Sequence, residues 1–202
     1  MIFKQIKVGP MENFSYMFAD EITREGAVTD PGFDYKKLVK IAKDENINLT
    51  AIFLTHNHYD HTQETKALKS HTGAKVYAHP EAERLLRGNV SVDALINHGD
   101  KVMLGSVAVE CIHTPGHSPG SVCLLLNDKY LLTGDTLFVG NCGRDDLPES
   151  SPNELIKSLK LLYSLPDHLL VCPGHDYGET PTSLLGEEKQ TNPCMLTAIK
   201  LP

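Results

Sequence analysis

The sequence predicts an α/β protein, a four-layer α/β/β/α sandwich of two mixed sheets. Three observations predict it. Apolar strand-like runs meet across short turn sequences, as hairpins do. Helical patterns alternate with those runs in both halves, so the helices should cover the outer faces of sheets. The chain of 202 residues, 41% hydrophobic and 22% charged, is long enough for one well-packed domain, expected to span residues 1–202.

The elements follow in order. Residues 2–8 and 14–19 read as strands around Gly9-Pro10, and Ala27-Val28-Thr29 as a third, stopped by the turn Asp30-Pro31-Gly32. Tyr35 to Lys43 has helical spacing, with Leu38, Val39, Ile41 and Ala42 on one side. Ile52–Thr55 is a short buried strand. Gln63 to His71 reads as a helix closed by Thr72-Gly73. A strand at 76–78 precedes a helix from Pro80 to Leu86, with proline in its first turn and Gly88 beyond its end. In the second half, 102–104 and 107–112 flank Gly105-Ser106, and 121–126 and 130–132 flank Asn127-Asp128-Lys129. Both arrangements are hairpin signals. Asn153 to Tyr163 is an amphipathic helix entered through Ser151-Pro152. Residues 169–172 form a last strand, and the tail from Gly178 reads as loop with one helical turn near 184–189.

Composition narrows the function. A net charge of −7 without a basic run argues against a nucleic-acid partner. The cysteine count is odd and none are spaced as CxxC, so a disulfide framework is not expected and a reducing cytoplasm is the natural setting. Cys123 and Cys172 sit in apolar runs as small core residues. Residues 1–5 lack the apolar core of a signal peptide, and no run reaches the ~20 apolar residues of a membrane helix. A soluble cytoplasmic protein with no membrane partner is expected; nothing in the pattern specifies an oligomeric state.

The chemistry is concentrated in Thr55-His56-Asn57-His58-Tyr59-Asp60-His61. Three imidazoles and a carboxylate follow directly on the strand 52–55, and in extended chain His56 and His58 face the same way. Imidazole and carboxylate are ordinary ligands of zinc and similar ions. Three more candidates each follow an apolar strand in a Gly/Pro-shaped loop: His117 in Thr114-Pro115-Gly116-His117, Asp135 in Gly134-Asp135-Thr136, and His175 in Pro173-Gly174-His175. Read alone, Asp135 after a glycine also fits a turn residue or a helix N-cap, the lesser of the readings. A catalytic zinc keeps about three protein ligands and an open position. Seven candidates therefore suit two divalent ions, about 3.5–4 Å apart and bridged by a carboxylate, for which Asp135 is the best candidate. Zinc is the first choice, with iron or manganese as alternatives. His71, His79, His98, His113 and His168 lack this placement and are read as structural or surface residues.

The series Thr-His-x-His-x-Asp-His, Thr-Pro-Gly-His, Gly-Asp-Thr, Pro-Gly-His resembles the metallo-β-lactamase-fold superfamily along nearly the whole chain, and within it the branch of glyoxalase II (hydroxyacylglutathione hydrolase) and the persulfide dioxygenases. The resemblance implies that His56, His58, His117 and Asp135 bind a first metal. Asp60, His61, His175 and the shared Asp135 would bind a second. Asp60 and Asp135 are the candidate catalytic carboxylates. Asp30 matches a superfamily aspartate beside the site and would hydrogen-bond a ligand. The sequence departs from glyoxalase II at three places. Only 27 residues follow His175, too few for the helical region that helps hold glutathione. The loop Gly140-Asn141-Cys142-Gly143-Arg144-Asp145-Asp146-Leu147 lacks the lysine and tyrosine that bind glutathione and is closer to the Gly-Arg-Thr-Asp pattern of dioxygenases and short glyoxalase II-like hydrolases. Gln63-Glu64 replaces the usual glycine pair.

The implied activity is a metal-dependent thioesterase using hydroxide activated at two metals on a small-molecule acyl thioester. Arg144 would hold a substrate carboxylate, or else pair with Asp145 or Asp146. Tyr177 would pack beside the pocket. The alternatives are a mononuclear non-haem iron persulfide dioxygenase using His56, His117 and Asp135, and a non-catalytic metal-binding protein.

Overall fold

The structure is a computed structural model that describes residues 1–201. Its first sheet runs in the order β1 (Ile2–Val8), β2 (Asn13–Ala19), β3 (Glu25–Thr29), β4 (Asn48–Phe53), β5 (Lys75–Ala78), β6 (Ala94–Leu95). The first three strands pair antiparallel and the rest parallel, so the sheet is mixed. The parallel strands need crossovers, which α1 (Tyr35–Asp44), α2 (Tyr59–Thr62) with α3 (Thr65–Thr72), and α4 (Pro80–Leu86) supply. The second sheet includes β7 (Lys101–Leu104), β8 (Val107–His113), β9 (Val122–Leu126), β10 (Tyr130–Gly134) and β13 (Leu170–Pro173), with β14 (Ser183–Leu184) on its edge. Between β10 and β13 the chain forms a small hairpin, β11 (Leu137–Phe138) and β12 (Asn141–Cys142), and the helix α5 (Pro152–Tyr163). Two helices close the chain, α6 (Leu185–Thr191) and α7 (Pro193–Ala198).

Strand alternation builds the layers. On β2, Phe14, Tyr16 and Phe18 point to the inter-sheet core, while Met17 and Ala19 face the helices. On β9, Val122, Leu124 and Leu126 meet them from the other sheet, and Cys123 and Leu125 face outward. Leu38, Ala42, Leu68 and Ala82 of α1, α3 and α4 cover the first sheet. Leu155, Leu159, Leu185, Met195 and Ala198 of α5 to α7 cover the second. Three buried cores therefore separate four layers, as expected.

The differences are local. The expected helix 63–71 is α3, starting at Thr65, and a separate short helix, α2, precedes it within the histidine cluster. The strand expected to reach Thr55 ends at Phe53. The tail is loop to residue 182, and the helical turn expected near 184–189 is α6; α7 was not expected, and both short helices are held by burying Leu185 and Met195 completely. The two-residue strands β6, β11, β12 and β14 carry no periodic signal. No helix among the described residues is long and apolar enough to cross a membrane.

Candidate metal centre

All seven predicted ligands meet at one edge of the sandwich, where strands of both sheets end. His56 follows β4, His58 precedes α2, and Asp60 and His61 lie within α2. His117 comes from the β8–β9 loop, Asp135 follows β10 and His175 follows β13. All are buried except His58, which is half-buried. Three sets of ligand atoms each lie within 4.8 Å of one another: His56, His58 and His117; His56, His61 and Asp135; and Asp60, His61 and His175. Asp135 stands between the two ends, its Oδ2 lying 3.6 Å from His117 Nε2 and 3.3 Å from His175 Nε2.

Hydrogen bonds fix which nitrogen of each ring faces inward. His117 Nδ1 donates to the Arg144 carbonyl at 2.9 Å and His175 Nδ1 to the Met11 carbonyl at 2.9 Å. A carbonyl only accepts, so in the neutral rings Nε2 carries the lone pair. The Thr55 hydroxyl has one hydrogen, given to Asp30 Oδ2 at 2.7 Å. Its oxygen therefore accepts from His56 Nδ1 at 3.1 Å, which leaves His56 Nε2 unprotonated. His61 Nδ1 donates to Asp30 Oδ2 at 3.2 Å. Asp30, whose backbone is left-handed with φ of 45°, is thus bonded to one metal-facing ring directly and to another through Thr55.

The inward atoms are left facing one another. His117 Nε2 lies 2.9 Å from His58 Nδ1, and His61 Nε2 3.1 Å from His175 Nε2. His56 Nε2 and Asp135 Oδ1 are buried without any hydrogen-bond partner. Nitrogens and carboxylates converging at this distance call for positive charge between them, supplied by a proton or a bound ion, and a set of imidazole nitrogens with two carboxylates suits a divalent ion. The titration of the groups carries the same signature. Burial, with the neighbouring His61, holds His56 well below its ordinary range. Burial and His117 lower His58. For Asp135 burial works upward, but His61, His56 and His175 overrule it and hold the carboxyl far below the usual range. Burial opposes the charge on His61, yet Asp135, Asp30 and Asp60 push it up to about 9.

Close backbone approaches position the ligands. A β-carbon at Gly32 would lie 1.6 Å from the Asp60 carbonyl oxygen, and one at Gly143 1.8 Å from that of Asp135. The segment carrying Glu64, which departs from the superfamily pattern, has its own use: the Glu64 carboxylate accepts from the Tyr35 amide at 2.6 Å, joining α3 to the start of α1.

Above the centre lies a cavity of about 490 Å³, lined by His58, His117, Asp135 and His175 at its base and Met11, Tyr59, Phe138, Leu147 and Tyr177 higher up. Arg144 also lines it, but one edge of its guanidinium is taken: Nε and Nη2 donate to the two carboxylate oxygens of Asp146 at 2.8 and 3.1 Å. Tyr177 is stacked on His175 with centroids 4.6 Å apart and, beyond the packing expected of it, lines the cavity. The other five histidines lie outside the centre. His79 caps α4 and stacks on His113 at 3.9 Å, His98 accepts from the His113 amide, His71 ends α3, and His168 bonds the Asp128 carbonyl. Sequence reasoning missed Asn13, whose amide donates to Asp60 Oδ2 at 3.0 Å, and Thr55 as a bridge. Thr55 precedes the motif directly, but Asn13 gives no local sign.

Fold and site together define a metal-binding α/β/β/α protein of the metallo-hydrolase kind. A model of the metallo-β-lactamase superfamily matches residues 8–175, and the chain belongs to that superfamily. Hydroxyacylglutathione hydrolase GloC of Haemophilus influenzae is 30% identical over 90% of this chain and 92% of its own. Among solved structures, ETHE1 from Myxococcus xanthus is similar with a TM-score of 0.86 and 31% identity, covering 100% of this chain and 92% of its own. TTHA1623 in a di-iron-bound form has a TM-score of 0.81 and 31% identity, covering 94% of this chain and 98% of its own.

Proposed function

We propose that the chain, acting as one domain in the cytoplasm, is a dinuclear metallo-hydrolase of small acyl thioesters. His56, His58, His117 and Asp135 hold one divalent ion; Asp60, His61, His175 and the shared Asp135 hold the other. Zinc is the first candidate, with iron and manganese compatible with the same nitrogen and oxygen set. The likeness to GloC supports the thioester, and the di-iron neighbour supports a filled pair of sites.

The observation that carries the reading is the state of the second triad. Each of its members has a dedicated partner: Met11 for His175, Asp30 for His61, Asn13 for Asp60. Such partners orient ligands for an ion. Bound there, the ions supply Lewis acidity toward the acyl carbonyl and a water acidified to a pKa of about 7. The chain's residues do the remaining work. Asp135 faces both triads. Phe138, Leu147 and Tyr177 shield the acyl group from bulk water. Arg144, braced by Asp146 at the rim, offers a cationic face to a substrate carboxylate. The departing thiolate, with a parent pKa of about 8.5, needs no protein acid.

A second reading, a mononuclear iron oxygenase, is favoured by the likeness to ETHE1 and by the Arg144 loop. One variant separates the two. If the chain is the hydrolase, His175→Ala leaves about one metal per chain and loses orders of magnitude of thiol release from S-lactoylglutathione and other short acyl thioesters. A single iron retained by His175→Ala, with oxygen uptake on glutathione persulfide, would overturn the hydrolase.

A further inference from the structure

We propose that Cys142 and Cys194 form a reversible disulfide that tethers the strand behind the metal centre to the last helix. Their sulfurs approach to 2.6 Å, closer than separate thiols pack, across 52 positions of sequence (194 − 142). Both side chains are half-buried along a cleft of about 300 Å³ lined also by Asp145, Leu155 and Leu201. Cys111, Cys123 and Cys172 are buried in the cores and out of an oxidant's reach.

The tether would join parts that already grip each other. The Asn192 amide, at the start of α7, donates to the Phe138 and Asn141 carbonyls at 3.2 and 2.9 Å, clasping the β11–β12 hairpin. Cys194 lies two residues beyond Asn192, against Cys142 at the hairpin's end. The two residues that follow that strand support the centre. Gly143 is pressed on Asp135, and the Arg144 carbonyl holds His117 Nδ1. Fixing Cys142 to α7 therefore fixes the backing of two ligands.

The contact sets the partners. Cys142 donates its S–H to Cys194, so oxidation of the Cys194 sulfur leaves Cys142 within reach to close the bond. With hydrogen peroxide, the Cys194 sulfur attacks one oxygen, the O–O bond breaks and water departs, leaving a sulfenic acid. Cys142 then attacks that sulfur; the S–S bond forms, the S–O bond breaks and a second water departs. Two thiols lose two electrons and two protons, and one peroxide becomes two waters. A low-molecular-weight thiol reverses the step by exchange. The odd cysteine count and the absence of CxxC gave no hint of this pair, because the fold alone brings the two together.

The test uses the full chain, exposed to hydrogen peroxide and then quenched. Free thiols counted in denaturant should fall from five to three, and peptide mapping should find Cys142 joined to Cys194. The thermal midpoint should rise by roughly 5–15 °C, from the usual worth of a disulfide closing a loop of this length. Dithiothreitol should restore both values. Cys194→Ser under the same exposure should keep its four remaining thiols and show no rise. Retention of all five thiols in the wild type, a different linkage, or a linked protein with an unchanged midpoint would each overturn the proposal.

Discussion

Replacing Thr55 with valine tests the reading of the centre most directly. The side chains have nearly the same shape, so the change removes one hydroxyl and little else. That hydroxyl donates to Asp30 Oδ2 at 2.7 Å and accepts from His56 Nδ1 at 3.1 Å, in a site where all three residues are buried. Losing a hydrogen bond to a carboxylate costs about 1.5–3 kcal/mol, and leaving the His56 N–H without a partner about 1–3 kcal/mol. The Thr55 amide keeps its own 2.7 Å bond to Asp30 Oδ1, and His61 stays on Oδ2, so part of the loss is offset. A net cost of about 3 kcal/mol is expected, or a fall of roughly 6–12 °C in the thermal midpoint for a chain of this size. His56 also loses the contact that fixes its tautomer, so metal affinity should fall about 10- to 100-fold. The assays are thermal unfolding and metal titration against a competing chelator. Thr55→Ser, which restores the hydroxyl, should recover most of both. Wild-type affinity in Thr55→Val, or equal damage from serine, would show that the methyl group and not the hydroxyl matters.

Gly32→Ala should cost about 3 kcal/mol or more in denaturant unfolding, because its β-carbon would collide with the Asp60 backbone, which cannot swing aside. His58→Ala should lose bound metal and activity together, measured by elemental analysis and thioester turnover, whereas His98→Ala and His168→Ala should lose neither; equal losses at all three would mean the centre is misplaced. The pH dependence has a definite sign. In the metal-free protein His61 titrates near about 9, above its ordinary value of about 6.5. Its stabilising charge is then fully present below about 6.5 and is lost as pH rises through about 9, while the lowered His56 and His58 work the other way near pH 6, so metal-free protein should melt at lower temperature at pH 10 than at pH 7.5. The metal must displace that proton, so calorimetric titration at pH 7 in buffers of different ionisation enthalpy should detect proton release on binding.

What the sequence determined by itself is local in origin. Each of the seven ligands follows an apolar strand, and the ends of strands from two packed sheets collect at one edge, so chain position alone brought His56, Asp135 and His175 into one group. Strands β2 and β9 were legible as apolar runs because both of their faces are buried, one against the other sheet and one against helices. Tertiary structure decided the rest. The carbonyls of Met11 and Arg144 hold His175 and His117, and any residue supplies a carbonyl, so no letter of the sequence marks them. Helices α6 and α7 are too short to be stable by propensity and exist because Leu185 and Met195 bury against the second sheet. The Arg144 guanidinium had two acidic neighbours to choose from, Asp145 and Asp146, and the loop's path pairs it with Asp146 while leaving it in the cavity lining. Cys142 meets Cys194 because α7 returns across the β11–β12 hairpin. Contacts of this kind depend on how separate layers pack, a property of the assembled core and of no single stretch of chain.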